Sequence, residues 1–555
     1  MSYLIKIIIL PEGEHFAHFS ILFNMGKPII STRKLPSGVQ TFSQVRLDYD
    51  VYVDKTLHIY NMVNNYKVVF LSRPRRFGKS LTCSTLEALF TNEKKLFKGL
   101  AIEKTDWKWK EHPVIRLDTS AANFTCKNGL KNLRDLIDED LEDCAENYEI
   151  ELNKSSISRK FSALIKALYK KKGPVVVIVD EYDCPMLDTL HFPKNHELIR
   201  KELQGFYKVL KGCDKYLKFV FITGVTKFSQ VSLFSGMNQP EDISMHPDFC
   251  ALCGITQEEL EKNFDVEIEK GFKYLELKSK EEYLSKLKNY YNGYHFSRDA
   301  ISVYNPTSII KHFISPFDFK PFWSETGTPS FLVDYVKMQP DRLLNFKKQR
   351  ISAESFAKYD KDTLSLIPLL YQAGYLTISS YDKENVLYTL GYPNGEVKSS
   401  FAKFLASYFG NSINTDSDNY SVELTDALKT GNVKGFMEVL KIYLQKVDYS
   451  LIAKIKEYYF EFAVANILNM LGVRCNVEVH SALGSVDAVI EFGNYIYIME
   501  FKKDKSVATA LKQIEEKGYA TVYKRLCKGR GARKIIKLGV KFSSKKRNVV
   551  DWKEA

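Results

Sequence analysis

The sequence predicts a multidomain α/β protein, in which a parallel sheet covered by helices is followed by a mainly helical region and a mixed α/β domain. Three observations support this prediction. Short β-branched runs at residues 66–71, 174–179 and 219–223 alternate with stretches of helical periodicity. Residues 255–440 carry mostly helical patterns, and residues 486–502 have the composition of a hairpin. With 555 residues, of which 45% are hydrophobic, the chain can form about three or four such domains.

The first strand leads directly into a glycine-containing loop. Residues 66–71 (YKVVFL) precede residues 72–80 (SRPRRFGKS), and a helical pattern follows. A strand, a loop that ends in Gly-Lys-Ser and a helix form the context of a phosphate-binding loop, because N–H groups at the helix start cradle phosphates. We expect Gly78 to belong to the nucleotide-binding loop, Lys79 to reach the β- and γ-phosphates, and the Ser80 hydroxyl to coordinate Mg²⁺. The sequence therefore predicts a P-loop NTPase domain that binds ATP with Mg²⁺.

This loop differs from the usual pattern in its first residue and in its charge. The usual pattern begins with glycine, and Arg73 stands at that place here, which changes the expected loop shape. Arg75 and Arg76 add two cations, and we expect both to contact nucleotide phosphates.

Two further strands end in polar residues that suit nucleotide chemistry. Residues 174–179 (PVVVIV) form a nearly pure β-branched run, as is typical of a strand covered on both faces, and Asp180 and Glu181 follow. Ligands bind at the carboxyl ends of strands in open α/β sheets. We therefore expect Asp180 to hold the Mg²⁺ shell and Glu181 to polarise the attacking water. The strand at residues 219–223 (FVFIT) ends in Thr223, which we predict to sense the γ-phosphate.

The charged residues of the predicted C-terminal hairpin fall on one face. A two-residue Gly-Asn turn makes Phe492 face Tyr495, and counting outward by five places Asp487 opposite Glu500. Alternation puts Lys502 on the same face. Two carboxylates with β-carbons about 5 Å apart repel each other unless a cation lies between them, and a divalent metal supplies that charge. The geometry predicts a Mg²⁺ site with Asp487 and Glu500 as ligands, and Lys502 beside it to stabilise a phosphorane or a hydroxide.

The Asp-x12-Glu-x-Lys spacing resembles the core of the PD-(D/E)XK nuclease superfamily. The resemblance implies that residues 457–471 are the leading acidic helix of that superfamily and that Glu461 is its acidic residue. It also implies that residues 508–517 form the glutamine-bearing helix, on which Gln513 orients the substrate or the nucleophile.

Several motifs together extend the resemblance to nearly the whole chain. RPRRFGKS, VDEYDCP, YNGYHF, YNPTSI, YQAGYLTI and YPNGEV, followed by GSVDAVI and IMEFK, resemble a family of predicted AAA-ATPase-like proteins with a C-terminal PD-(D/E)XK nuclease domain. The resemblance begins near Leu35, and it implies an ATPase module joined to a nuclease-like module. The expected organisation is an N-terminal extension (1–33), a P-loop AAA-ATPase-like domain (34–254), a helical and winged-helix-like region (255–440) and a nuclease-like domain (445–555).

Part of the middle region has the pattern of a winged helix. Residues 364–373 form a predicted helix that stops at Gly374, and two predicted strands at 375–379 and 386–390 flank a polar tip. Such an element can contact DNA, but we favour a role in domain packing. Residues 411–425 are the most polar stretch and are predicted to be a loop or linker.

The charge distribution indicates the class of partner, and the cysteine usage indicates the cellular compartment. The net charge is +13, and residues 500–555 alone hold 17 Lys or Arg against 6 Asp or Glu. This basic segment attracts a polyanion, so nucleic acid is the expected partner, with DNA favoured over RNA. Nine cysteines without framework spacing indicate reduced thiols and a cytoplasmic location. No apolar run approaches the roughly 18 residues that span a bilayer, so no membrane association is expected.

Two functions remain open from the sequence alone. The first is an ATP-binding and ATP-hydrolysing protein with a Mg²⁺-dependent nuclease domain that acts on nucleic acid. The alternative is a switch-type signalling ATPase whose nuclease-fold domain only binds nucleic acid or a protein partner. No arginine finger is evident, although Lys227 and Arg200 are candidates, and a homo-oligomer is compatible with the sequence.

Overall fold

The computed structural model describes residues 33–190, 192–227, 233–234, 240–298, 301–323, 349–352, 366–401, 417–445, 474–481, 484–521, 523, 532–543, 545–546 and 548–555. Glu461, with the helix predicted at 457–471, lies outside the described residues, as does nearly all of the predicted N-terminal extension. The role of Glu461 therefore stays a prediction.

The N-terminal part alternates strands and helices in chain order. Its elements are α1 (Phe42–Asp48), α2 (Thr56–Asn65), β1 (Val68–Ser72), α3 (Lys79–Phe90), β2 (Val114–Asp118), α4 (Gly129–Asn147), α5 (Ile157–Lys172), β3 (Val175–Asp180), α6 (Cys184–Asp188), α7 (Pro193–Gly212), β4 (Leu217–Gly224) and β5 (Glu241–Asp242). The three strands predicted from sequence correspond to β1, β3 and β4, with ends that differ by one or two residues.

The five strands form a parallel sheet in the order β2-β3-β4-β1-β5. Alternation along β3 sends Val175, Val177 and Val179 into one hydrophobic cluster with α4, α5 and α7. Val176 and Ile178 enter a second cluster, which lies on the α3 side of the sheet. Both faces are therefore covered, which explains why this strand consists of β-branched residues throughout. The predicted parallel sheet with helices is confirmed.

The middle region is helical with one small sheet. Its elements are α8 (Gln257–Asn263), α9 (Asp265–Tyr274), α10 (Lys280–Tyr291), α11 (Pro306–Ile314), β6 (Gln349–Ser352), α12 (Leu366–Gln372), β7 (Thr377–Asp382) and β8 (Leu387–Gly391). The predicted helix and hairpin are α12, β7 and β8, and Gly374 has the positive φ of +89° that ends the helix. The sequence reading missed β6, which pairs with β8 and completes a three-stranded antiparallel sheet.

The C-terminal part contains a mixed five-stranded sheet. Its elements are α13 (Ser417–Thr430), α14 (Val433–Gln445), β9 (Arg474–Ser481), β10 (Gly484–Phe492), β11 (Tyr495–Lys503), α15 (Val507–Glu516), β12 (Lys534–Ser543) and β13 (Asn548–Glu554). The strand order is β13-β12-β11-β10-β9, in which only β11 and β12 are parallel. This sheet with its helices agrees with the predicted nuclease-like domain.

The polar stretch at 411–425 is not a linker over its described part, because α13 begins at Ser417. Leu424 and Leu428 of this helix are buried in the cluster that covers one face of the C-terminal sheet. The Tyr497 hydroxyl also donates to the Leu428 carbonyl at 2.7 Å. Tertiary packing on the sheet thus outweighs the polar composition. From these contacts we propose that the C-terminal module includes α13 and α14 and starts before residue 445.

Candidate nucleotide and metal sites

The phosphate-loop candidate lies between β1 and α3, at the carboxyl edge of the parallel sheet. Gly78 precedes the helix with φ of +95°, a left-handed conformation that favours glycine. Lys79 is buried, and its Nζ lies 3.1 Å from Oε1 of Glu181. Burial works against the lysine charge, but Glu181, Asp180 and Asp183 outweigh it, and the pKa of Lys79 is raised. The structure thus brings the loop lysine to the two acids predicted from the sequence.

Asp180 has the surroundings of a metal ligand. It is fully buried at the end of β3, and its Oδ1 accepts the Glu181 N–H at 3.0 Å. Burial and the Glu181 charge raise the pKa of Asp180, whereas the Ser80 hydroxyl beside it acts in the opposite direction. Within the described part of the chain, Oδ2 of Asp180 is buried and accepts no hydrogen bond of good geometry. A buried carboxylate oxygen next to a serine hydroxyl fits Mg²⁺, which binds through one or two protein oxygens plus phosphates and water.

The turn after β3 contains a residue with an unusual backbone conformation. Glu181 has φ of +49°, which is unusual for a residue with a side chain. Asp183 is fully buried and accepts the N–H groups of Val225 at 3.2 Å and Thr226 at 2.7 Å. A Cβ at Gly224 would lie 2.2 Å from Oδ1 of Asp183, so only glycine fits there. The turn that carries Glu181 is therefore locked to the end of β4.

Three other predicted residues have contacts that do not point to phosphates. Thr223 is buried, and its hydroxyl donates to the Leu71 carbonyl at 2.7 Å, so the γ-phosphate sensor stays a prediction. Lys227 is buried, with its Nζ 2.8 Å from Oδ2 of Asp242. Arg200 pairs with Glu197 on its own helix. These ion pairs do not test a finger role for Lys227 or Arg200, which stays a prediction.

The three loop arginines differ in their surroundings. Arg73, which replaces the usual glycine, is buried and donates to the carbonyls of Ser72 at 2.8 Å and Ser244 at 2.7 Å. Its guanidinium also lies 4.1 Å from the centroid of the Phe296 ring. Arg73 therefore anchors the loop to the protein instead of facing a ligand. Arg75 is exposed and Arg76 is half-buried with φ of +68°, and the predicted phosphate contacts of both stay a prediction.

An apolar cavity beside the loop was missed by the sequence analysis. Its volume is about 90 Å³, and part of it is open to solvent. Gly78 and Leu81 form one wall, while Val51, Tyr52 and Ile310 come from outside the sheet. These wall residues are separated by up to about 260 positions along the chain, so no local pattern announces them. The VYVDK segment before α2 contains a short apolar run, and this run is the sequence feature that could have indicated the cavity.

Motifs of the middle region converge on the same loop. Phe77 packs against the rings of Tyr294 and Phe296, with centroids 4.8 and 5.3 Å away. At the start of α11, the Asn305 amide and the Thr307 hydroxyl approach the loop carbonyls of Arg75 and Arg76, at 3.5 Å each. The aromatic and turn-like YNGYHF and YNPTSI segments therefore support the loop, which the sequence alone did not decide.

The C-terminal hairpin has the predicted register. Phe492 pairs with Tyr495, and the ladder continues to Ala488 and Met499. At the next position outward, Oδ2 of Asp487 accepts the Phe501 N–H at 2.7 Å. The Asp487 carboxylate thus takes the place of a ladder carbonyl where the pairing of β10 with β11 ends, beside Glu500.

Glu500 and Lys502 lie on one face of β11, as predicted. Glu500 is fully buried, and its Oε1 accepts from the Lys502 Nζ at 2.8 Å. A buried carboxylate needs a nearby positive charge, which the lysine supplies. Within the described residues, no three His, Cys, Asp or Glu side chains converge on a complete metal cage. Asp487 and Glu500 would instead suit an open Mg²⁺ site, which phosphate and water oxygens would complete.

Gly539 allows α15 to pack over this face. It is the register partner of Glu500 on β12, and a Cβ there would lie 2.9 Å from the Val507 carbonyl oxygen. Ile514 of the same helix packs with the apolar residues of β10 and β11. The helix carries half-buried Gln513, which the structure places on the element predicted for it. Its role towards substrate stays a prediction.

Replacing Gly539 by alanine is expected to destabilise the C-terminal domain by about 1–3 kcal/mol, because the new methyl group would collide with helix backbone. Thermal unfolding followed by circular dichroism measures the shift. Gly205→Ala on α7 is the matched control, since a Cβ there meets nothing within 4 Å. This control is expected to raise stability by up to about 1 kcal/mol. Equal effects at both glycines would contradict the packing argument.

Taken together, the parallel sheet with its Gly-Lys-Ser loop and the mixed sheet with its paired acids define a P-loop domain joined to a nuclease-fold domain. A family model described as "Predicted AAA-ATPase" matches residues 36–234, and one described as "PD-(D/E)XK nuclease superfamily" matches residues 455–552. The chain belongs to this family of AAA-ATPase-like proteins with a C-terminal PD-(D/E)XK nuclease superfamily domain, and the resemblance inferred from the motifs is confirmed.

One relative is similar to this chain over nearly its full length. An uncharacterized protein in the vnfD 5' region of Azotobacter chroococcum mcd 1 is 33% identical over 536 residues, which cover 94% of this chain and 99% of that protein. Two solved structures are more distant. Aeropyrum pernix ORC2, in ADPNP and ADP complexes, is 12% identical with a TM-score of 0.24, over 63% of this chain and 93% of that one. Cdc6p from Pyrobaculum aerophilum is 12% identical with a TM-score of 0.22, over 63% and 92%. These scores are too low to support any argument.

Proposed function

We propose that this protein binds and hydrolyses ATP with Mg²⁺ at the loop between β1 and α3. The observation that carries this proposal is the contact of Lys79 with Glu181, beside buried Asp180 and Ser80. Lys79 is positioned to leave the acid for a phosphate oxygen, and Ser80 and Asp180 would hold Mg²⁺. Mg²⁺ supplies charge neutralisation of the phosphates. Glu181, released from Lys79, would accept a proton from the attacking water.

The apolar cavity is the proposed binding site of the nucleotide base. It begins at Gly78 and Leu81, directly beside the loop that would hold the phosphates, and its walls are mainly apolar. A purine ring is flat and largely apolar on its faces, so its burial there is favourable. This arrangement orients the triphosphate towards Lys79 and away from solvent.

We further propose that the C-terminal domain is a Mg²⁺-dependent nuclease that acts on nucleic acid, with DNA favoured over RNA. Asp487 and Glu500 would hold the metal, which supplies Lewis-acid activation of the phosphodiester and of water. Lys502 would stabilise the charge that develops on the phosphate. Gln513 and Glu461 would orient the substrate or the nucleophile, as the family resemblance implies.

A row of lysines supports a polyanion as substrate. Lys541 is the register partner of Lys502 on the neighbouring strand, so both lie on the face of the paired acids. Because β11 and β12 are parallel, their ends share one edge, where Lys505, Lys545 and Lys546 are exposed. Phosphate groups that approach the metal would cross this edge, and binding should weaken with salt.

The experiment that tests both activities uses the full chain with plasmid DNA, Mg²⁺, and either ATP or no nucleotide. Lys79→Ala and Lys502→Ala serve as variants for the two sites, and a parallel arm contains RNA. We expect Mg²⁺-dependent cleavage that Lys502→Ala removes, and ATP hydrolysis that Lys79→Ala removes. Chelation of Mg²⁺ by EDTA should abolish both activities.

The same assay separates the alternative function. Retention of DNA without cleavage across Mg²⁺, Mn²⁺ and Ca²⁺, together with intact ATP hydrolysis, would support a switch-type signalling ATPase whose nuclease-fold domain only binds. Cleavage that persists undiminished in Lys502→Ala would contradict the assigned site.

One observation bears on the proposed cytoplasmic location. The seven cysteines whose side chains the structure describes are free thiols, in agreement with a reducing compartment. No helix in the described ranges is long and apolar enough to cross a bilayer.

A further inference from the structure

Thr119, which follows β2 directly, contacts the turn that carries the proposed catalytic acid. It is 2% exposed, and its hydroxyl donates to the backbone carbonyl of Glu181 at 2.7 Å. Its N–H donates to the Asp180 carbonyl at 3.3 Å. These two hydrogen bonds extend the pairing of β2 with β3 by one residue, past the register pair Asp118 and Asp180. One residue thus reaches the backbone of both proposed active-site acids.

The hydroxyl holds a strained segment of backbone. A non-glycine residue in the left-handed region costs about 1–2 kcal/mol, and Glu181 adopts φ of +49°. The Glu181 carbonyl accepts from two sides, from Thr119 and from the Cys184 N–H at 2.9 Å. Together these donors fix the direction in which the Glu181 side chain leaves the turn. That direction brings its carboxylate to Lys79.

We propose that Thr119 is a positioning residue for ATP hydrolysis, which acts through the backbone of Glu181 and contacts neither nucleotide nor metal. This inference rests on the proposed function of the ATPase site. Without the hydroxyl, the turn relaxes towards ordinary φ values and the Glu181 carboxylate shifts relative to the attacking water. A misplacement of about 1 Å costs on the order of 100-fold in rate. The phosphate contacts of Lys79 and the base cavity do not depend on it.

The test compares Thr119→Val, which keeps the shape but removes the donor, with Thr119→Ser, which keeps the hydroxyl. We expect Val to lower kcat for ATP hydrolysis by about 10- to 100-fold with little change in KM or in ATP affinity measured by titration calorimetry. Ser is expected to retain most of the wild-type rate. If circular dichroism shows that Val prevents folding, Thr119→Ala replaces it and the same rate loss is expected.

A double variant separates positioning from a general loss of structure. Glu181→Gln alone should leave only a small residual rate of hydrolysis, and adding Thr119→Val should lower that residual rate no further, because both changes act through one carboxylate. Wild-type kcat in Thr119→Val, with Glu181→Gln strongly impaired, would overturn the inference and leave the proposed function intact. Full hydrolysis by Glu181→Gln would instead contradict the proposed role of Glu181.

Discussion

Replacing Lys502 by methionine is expected to reduce Mg²⁺-dependent cleavage of plasmid DNA by about 100-fold or more. The lysine Nζ lies 2.8 Å from buried Glu500 and neutralises the charge of this acid. Once a metal is bound to Glu500, the lysine would neutralise the charge of the substrate phosphate instead. Loss of a single preorganised donor at a developing oxyanion costs about 100- to 1,000-fold in rate. Cleavage rates at saturating DNA, measured from supercoiled plasmid, give the effect on the chemical step.

The matched control is Lys503→Met, because the next residue on the strand projects to the opposite face. It removes the same charge from the same edge and should lower DNA affinity slightly, with cleavage largely retained. Since Lys502→Met also leaves Glu500 buried without its lysine, its unfolding should be compared with that of the wild type. Asp487→Asn tests the metal directly: we expect loss of Mn²⁺ binding in a titration without DNA. Unchanged Mn²⁺ affinity would show that Asp487 is not a ligand.

The elements that local rules determine were predictable from the sequence. The two-residue turn fixes which residues of β10 and β11 face each other, so the pairing of Phe492 with Tyr495 followed from counting. The β-branched run of β3 predicted a strand covered on both faces, because helices on each side leave no polar face. The capping box at Thr256 and Glu259 likewise marks the start of α8 by purely local hydrogen bonds.

What the sequence did not predict depends on contacts between distant segments. The anchoring role of Arg73 needs Ser244 and Phe296, and the support from Thr119 needs the pairing of β2 with β3. No regular spacing in the sequence indicates that these distant segments come into contact. The sequence predicts a loop or linker at 411–425, where a helix begins at Ser417, because the helix has few buried leucines and they pack on a sheet formed by later residues. Composition alone does not reveal such a helix, because most of its residues are polar.

Replacing Lys79 by methionine is expected to weaken ATP binding by about 100-fold, which corresponds to about 2.8 kcal/mol. Lys79 is 3% exposed, and it would exchange one half-buried negative partner, Glu181, for the phosphates. Methionine keeps the length and the apolar contacts of the side chain but brings no charge. Titration calorimetry with a non-hydrolysable ATP analogue and Mg²⁺ measures the loss.

The variant also leaves Asp180 and Glu181 near each other without a cation, so the protein should unfold at a lower temperature. Adding Glu181→Gln removes one of these acids, and the double variant should regain most of the lost stability without regaining ATP affinity. The two readouts then move apart, because stability reports the repulsion between the acids and affinity reports the missing phosphate contact. Recovery of ATP binding in the double variant would contradict a direct role for Lys79, since a lysine needed only to hold Glu181 becomes dispensable once that acid is neutral.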